Sequence, residues 1–233
     1  MPVLLALDSA TDTLALALVT PAGTRCCEVA GGAQASARLL PEVQALLAAE
    51  GLVLGQLDAI AFGQGPGAFT GLRTACAVAQ GLAFGAGKPV LAIDSLMLVA
   101  EDARAQGAGD EVWVAMDARI GEIYAAHYRF TPAGWQVLQA PALYAPAALL
   151  ARWADLGEPQ AVAGSALTEY AAVLGERRNA WPRARSRAAA LGALAQAAWQ
   201  RGELLDPADA LPLYVRDKVA LTTAERLARG GVR

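Results

Sequence analysis

The sequence predicts an α/β protein of two duplicated lobes, each a mixed sheet that opens with a β-hairpin and is packed by helices. Three observations carry that prediction. The 233 residues are 55% hydrophobic, enough for a real core in one large domain or two small ones. The two halves of the chain repeat a strand–turn–strand block in matched order. Between those blocks, short strand-like runs give way to stretches with helical spacing.

The repeat sets the frame. Val3-Leu-Leu-Ala-Leu-Asp8, a short polar turn and the run Leu14 to Gly23 open the first half. Val112-Trp-Val-Ala-Met-Asp117, a short turn and the run Glu122 to Gly134 open the second. Asp8 falls opposite Asp117, and Thr20-Pro-Ala-Gly23 opposite Thr131-Pro-Ala-Gly134. The tetrapeptide alone is within reach of chance, but matched order over about 16–18 residues favours an internal duplication.

The elements follow in order. Thr24–Val29 reads as a third strand. From Ser36, the apolar residues Leu39, Leu40, Val43, Leu46 and Leu47 recur at helical spacing up to Gly51, with Pro41 expected in the first turn. Strand 57–62, helix 71–86, strand 89–93, the turn pair Asp94-Ser95 and helix 96–105 complete the first half. Gln106-Gly-Ala-Gly-Asp110 is the expected junction. Beyond it, Pro146–Leu156 and Arg187–Gly202 read as helices and Ala161–Gly164 as a short strand, and Pro207 and Pro212 break up the tail. The expected division is therefore a first lobe over residues 1–105, a second over 106–206 and a tail over 207–233.

The most informative local segment is Gly63 to Gly81. It places four glycines and a proline in the nine residues Gly63 to Gly71, between a buried strand and an Ala/Gly-rich helix with Thr70 at its N-cap. A strand, a glycine turn and a helix N-terminus suit an anion, because free N–H groups converge there. They equally suit a tight turn before a closely packed helix. The P-loop ending is missing, since Gly71-Leu-Arg-Thr74 has no lysine, and the spacing of Gly63, Gly65 and Gly67 is wrong for a dinucleotide fingerprint.

Candidates for chemistry are few. His127 is the only histidine, which removes histidine triads and His/Cys metal clusters unless that one residue serves, and it reads as a satisfied strand residue. Asp8 and Asp117 end hairpin strands, where paired carboxylates can hold Mg²⁺ or act as a base; accepting N–H bonds within the next turn is the simpler role. Asp117, Arg119 and Glu122 suggest a local ion-pair set. The arginine-rich run Arg177 to Arg187, with Trp181, could touch an RNA backbone or serve as a solvated connection. Cys26, Cys27 and Cys76 make no disulfide framework. A net charge of −3 argues against a generic nucleic-acid binder. The longest uncharged runs, Ala59–Leu72 and Thr74–Gly87, are too short for a bilayer, and the N-terminus alternates like a strand, so a cytoplasmic protein is expected.

Four segments taken together resemble the TsaB family of bacterial tRNA threonylcarbamoyladenosine biosynthesis proteins. They are Leu5-Ala-Leu-Asp8-Ser-Ala-Thr11, Gly65-Pro-Gly-Ala-Phe-Thr-Gly-Leu-Arg73, Asp117-Ala-Arg119-Ile-Gly121-Glu122-Ile-Tyr124 and Leu213-Tyr214-Val-Arg216. The resemblance covers essentially the whole chain and implies the two-lobed actin/Hsp70/sugar-kinase superfold. It also implies a non-catalytic partner without cofactors, which activates the transferase TsaD, with the ATPase TsaE docking on the pair and tRNA contacted indirectly or weakly. The catalytic paralogue TsaD holds metal with histidines at the start of a helix. Here that place reads Gln34-Ala-Ser36-Ala-Arg38-Leu-Leu40, and Ala163-Gly164-Ser165 lacks the paired glycines of an adenosine loop. The small-residue stripe Gly71, Leu72, Ala75, Ala79 and Ala83, with Leu39, Leu40, Val43, Leu46 and Leu47, is the expected surface for TsaD or for a second copy of the chain. Asp8, Thr11, Gly65, Gly67, Thr70 and Asp117 form an expected vestigial nucleotide or anion site. The rival readings are a small nucleotide-dependent phosphotransferase of the same superfold and a glycoprotease.

Overall fold

The computed structural model describes residues 1–216, and the fold is built from two sheets of identical topology. The first half runs β1 (Leu4–Asp8), β2 (Thr13–Thr20), β3 (Gly23–Ala30), α1 (Ala35–Ala49), β4 (Ala59–Gly65), α2 (Phe69–Ala86), β5 (Val90–Asp94) and α3 (Ser95–Ala105). The second runs β6 (Glu111–Asp117), β7 (Ile123–Thr131), β8 (Gly134–Tyr144), α4 (Pro146–Leu156), β9 (Val162–Ala163), two short helices α5 (Ala166–Glu169) and α6 (Ala171–Leu174), β10 (Ala180–Trp181) and α7 (Arg187–Gln200). The spatial orders are β3-β2-β1-β4-β5 and β8-β7-β6-β9-β10, so each half threads its sheet in the same way. The duplication read from the sequence is thus present in the topology.

The shared tetrapeptide makes the same hairpin turn twice. Thr20 pairs with Gly23 and Thr131 with Gly134, at the β2–β3 and β7–β8 corners. In each, the threonine hydroxyl donates to the glycine carbonyl, at 3.1 and 2.9 Å, and accepts from the N–H of Ala22 or Ala133. Gly23 and Gly134 have φ of 139° and 106°, which only glycine adopts without strain.

The two sheets and their helices stack as five layers. On one face of the first sheet, Leu39, Val43, Leu46 and Leu47 of α1 and Ala75, Ala79 and Ala83 of α2 pack on Leu5, Leu7, Leu16, Ile60 and Phe62. On its other face, Ala190, Leu191, Leu194 and Ala195 of α7 meet Leu4, Ala6, Val19 and Leu91. In turn, Leu96, Val99, Ala100 and Ala103 of α3 cover Val112, Val114 and Tyr128 of the second sheet. Trp113, Ala115 and Val162 on its far side bury Leu149 and Trp153 of α4. α3 and α7 therefore form a middle layer, and the last helix of the second half completes the core of the first sheet. α7, which lies in the segment expected as the second lobe, packs on the first sheet rather than on the 106–206 segment's own.

Three local expectations change. α1 begins at Ala35, so Pro41 lies inside the helix rather than in its first turn. α2 begins at Phe69 with Ala68 as N-cap and no side-chain cap, so Thr70 is a first-turn residue whose carbonyl accepts from the Thr74 hydroxyl at 3.0 Å. Strand β8 was not read from the sequence, because its mixed, Gln- and Pro-containing run alternates poorly. The tail expected over 207–233 is described only as far as Arg216, where it crosses from the first sheet to the second lobe. Among the described residues, no helix is long and apolar enough to cross a membrane.

Candidate functional site

The hairpin corners β1–β2 and β6–β7, the N-terminus of α2 and residues 213–216 enclose a cleft of about 610 Å³ between the lobes. It gathers Thr11, Gly67 and Asp117 of the expected nucleotide or anion site, together with Arg119, Ser165, Arg183 and Arg187, over an apolar wall of Leu72, Leu96 and Met116. Gly65 and Thr70 lie beside it without lining it, and Asp8 sits beneath it, fully buried.

Asp8 is tied down on both oxygens. The Arg187 guanidinium donates to Oδ1 at 3.0 Å, the Ala10 N–H to the same oxygen at 3.2 Å, and the Ser95 hydroxyl to Oδ2 at 2.7 Å. A buried carboxylate needs such partners, since an unpaired charge in the interior is prohibitive. The turn-capping role foreseen for Asp8 is present through Ala10. Arg187 and Ser95 were missed: Arg187 lay within a run read as solvated or RNA-facing, and nothing local to it points to residue 8. Arg177 of the same run also turns inward, donating to Glu158 at 2.9 Å with its guanidinium 4.3 Å from the Trp153 ring.

Asp117 occupies the equivalent strand end but faces the cleft. It accepts from the Arg119 N–H at 2.8 Å and the Tyr170 hydroxyl at 2.9 Å, and pairs with the Arg119 side chain at 3.2 Å. Burial, then donation to Asp117, pushes the Tyr170 phenol up to about 12. The expected ion-pair set is only partly local. Arg119 also reaches across the cleft to Asp12 at 3.1 Å, whereas Glu122 pairs with Arg216 at 2.7 Å. Behind the cleft, the Tyr128 hydroxyl of the second lobe donates to Asp94 of the first at 2.6 Å. Burial raises the Asp94 carboxyl, and the Tyr128, Leu96 and Met97 donors oppose that rise.

The glycines are chiefly a packing device. A Cβ at Gly63 would strike the Asp8 carboxylate, at Gly67 the Ala10 backbone, and at Gly71 the Ser9 carbonyl. Gly65, at φ 111°, lies against Leu72 and the Leu213 carbonyl. The Gly65 N–H donates to the Ser95 hydroxyl and the Ala68 N–H to the Ala10 carbonyl. These contacts seat the start of α2 on the β1–β2 corner, which is the tight-turn alternative considered above. His127 is likewise a strand residue, stacked on Trp113 at 4.7 Å and paired with Glu111 at 3.0 Å. Burial lowers its pKa, with Glu111 opposing. Among the described residues, no group of three or more His, Cys, Asp or Glu side chains is arranged to hold a metal ion.

The surface expected to meet a partner needs correction by residue. Leu39, Val43, Leu46, Leu47, Gly71, Leu72, Ala75, Ala79 and Ala83 are buried within the chain itself, and Leu40 alone of the ten is exposed. Helical spacing reveals which residues face something apolar, not whether that neighbour is the chain's own sheet. The same two helices turn a second face outward, with Ala37, Leu40, Gln44 and Ala48 on α1 and the small residues Ala77, Gly81 and Gly85 on α2. Phe84 stands beside it, 81% exposed.

Two sheets threaded alike, stacked through a shared helical layer around an interlobe cleft, define a duplicated two-lobed α/β protein of the actin/Hsp70-like class. The family model described as TsaD: tRNA N6-adenosine threonylcarbamoyltransferase matches residues 30–221. The tRNA threonylcarbamoyladenosine biosynthesis protein TsaB of Haemophilus influenzae is 41% identical over 121 residues, covering 52% of this chain and 51% of the relative. The protein of the same name from Escherichia coli is 37% identical over 126 residues, 54% of each. The chain thus aligns with about half the length of these curated relatives. The solved structure of YeaZ from Pseudomonas aeruginosa matches over 92% of this chain and 100% of that one, at 35% identity and a TM-score of 0.82. The chain belongs to this TsaD-type family, on its TsaB side.

Proposed function

We propose that this protein is a non-catalytic partner of a TsaD-type transferase and acts in the biosynthesis of threonylcarbamoyladenosine in tRNA. The observation that carries the reading is the state of Asp8. Its carboxylate is buried and already neutralised by Arg187, so it is not available to bind a metal ion or take a substrate proton. The relatives' names supply the pathway. The working surface is the outward face of α1 and α2, where the small residues of α2 allow a facing helix pair to approach closely. That surface serves the transferase in the complex and a second copy of this chain in its absence. A TsaE-type ATPase joins the pair, tRNA is engaged mainly through the transferase, and the complex works in the cytoplasm without a cofactor held by this chain.

Co-purification with the organism's TsaD-type protein, together with threonylcarbamoyladenosine measured in digested tRNA, tests the reading. Gly81→Arg places a bulky cation on that face without entering the core. It should weaken the transferase complex about a hundredfold, equivalent to about 3 kcal/mol, and abolish modification in depleted cells. Asp117→Asn should retain modification. Full modification with Gly81→Arg and its loss with Asp117→Asn would reverse the assignment and place activity in the cleft, as would ATP turnover by the isolated chain.

A further inference from the structure

The segment Leu213-Tyr214-Val215-Arg216 has no part in the function proposed above, yet it makes a specific path over the molecule. Leu205 exchanges both backbone hydrogen bonds with Val90 at the edge of the first sheet. The Gln80 side chain then donates to the carbonyls of Pro207 and Ala210, at 2.9 and 3.1 Å. The chain continues along α2 towards its start, where the Leu213 N–H donates to Gln64 at 2.7 Å. Tyr214 packs on Phe69, 5.4 Å between ring centroids, and accepts from Arg73 Nε at 3.0 Å. Two residues later the path has changed lobes. Arg216 donates to Glu122 at 2.7 Å and to the Arg119 carbonyl at 3.3 Å, and its guanidinium lies 5.8 Å from the Tyr124 ring.

We propose that residues 205–216 are a strap that fixes the angle between the lobes, with each end holding the other in place. The shared α3–α7 layer joins the lobes at the back of the cleft, and the strap spans it at the front. The other front tie, Arg119 to Asp12, joins side chains that are 70% and 81% exposed and contributes little. The strap meets a sheet only through the Val90–Leu205 bridge and buries only Ala210 in the first core, while Leu211, Leu213 and Tyr214 are exposed, so its last part, residues 211–216, can detach at a cost well below global unfolding. Detachment frees both sides of the cleft together, because the two anchors are only two residues apart.

Hydrogen exchange on the full chain tests this through cross-effects. Tyr214→Ser removes the strap's last first-lobe contacts, to Phe69 and Arg73, and Arg216→Gln removes its contacts to the second lobe. If the strap is one unit, Tyr214→Ser speeds exchange in residues 117–124 about tenfold, and Arg216→Gln does the same in 64–73. β1 and the circular dichroism spectrum stay unchanged in both, and small-angle scattering reports a larger radius of gyration. Exchange confined to each variant's own anchor, or scattering identical to the parent in both, would overturn the proposal.

Discussion

The two halves share a thread and differ in what each does with it. In the first, β4 has seven residues and is followed by the 18-residue α2. In the second, the equivalent strand is the two-residue β9, followed by two four-residue helices. The strand-end aspartates differ in the same sense: Asp8 is sealed under the cleft by Arg187, while Asp117 remains on its wall. Duplication preserves topology because the hairpin and crossover rules are chain-local. It does not preserve helix length or burial, which respond to neighbours. The first half carries a long helix pair with one face turned outward, and the second has short elements in the equivalent places.

The largest expected contrast lies between the paired aspartates. Asp8→Ala leaves the Arg187 guanidinium buried without its partner and should cost about 3–5 kcal/mol in denaturant unfolding. Asp117→Ala leaves its charged partner Arg119 exposed to solvent and loses two hydrogen bonds, so it should cost less, about 1–2 kcal/mol. Equal losses would erase the distinction drawn here.

Glycines on the two faces of α2 give the next contrast. Gly71→Ala pushes a methyl group into the Ser9 carbonyl and should destabilise by about 1–3 kcal/mol. Gly81→Ala meets open space on the outward face and should stabilise by about 0.5–1 kcal/mol, through helix propensity. Thermal melts of the two variants should therefore shift in opposite directions.

The hairpin corners differ as well. The β6–β7 turn holds Ile120 at φ 57°, a β-branched residue in left-handed backbone, with its side chain 76% exposed. No residue of the β1–β2 corner has positive φ. Ile120→Gly should relieve about 1 kcal/mol and raise the melting temperature; a decrease would show that the exposed isoleucine makes a compensating contact.

The smallest effect concerns His127. Burial lowers its folded-state pKa below the ordinary 6.5, so the unfolded chain binds a proton more readily. Its contribution to stability is complete above that ordinary value and is lost as pH falls through it towards the lowered folded value. His127→Gln should flatten this part of the stability–pH curve. An unchanged slope would show that other groups set it.

What the sequence revealed and what it concealed follow from distance along the chain. The Thr-Pro-Ala-Gly turns, the strand ends at Asp8 and Asp117 and most helix spans were legible because they depend on neighbours within a turn or two. The glycines between Gly63 and Gly71 announced a close approach, but what approaches is the Ser9–Ala10 backbone, some 60 residues earlier in the chain. Arg187 was not legible as the partner of Asp8, since 179 residues separate them. The faces of α1 and α2 were misassigned for a related reason. Periodicity marked Leu39 and Ala79 as buried, but it carries no information about which surface buries them. The outward stripe was available in Ala77, Gly81 and Gly85, but small residues on an exposed face give little hydrophobic contrast.

The placement of α7 has a consequence for how the protein is made. Leu4, Ala6, Val19 and Leu91 belong to the first-made sheet, yet their cover, Ala190 to Ala195, is translated about a hundred residues after that sheet is complete. At about 5–20 residues per second, the ribosome leaves that apolar face without α7 for roughly 5–20 s. During that interval the nascent first lobe is half a sandwich, and nascent-chain chaperones would find their binding surface there rather than on the second lobe, whose inner-face helix α3 is synthesised before the sheet it covers.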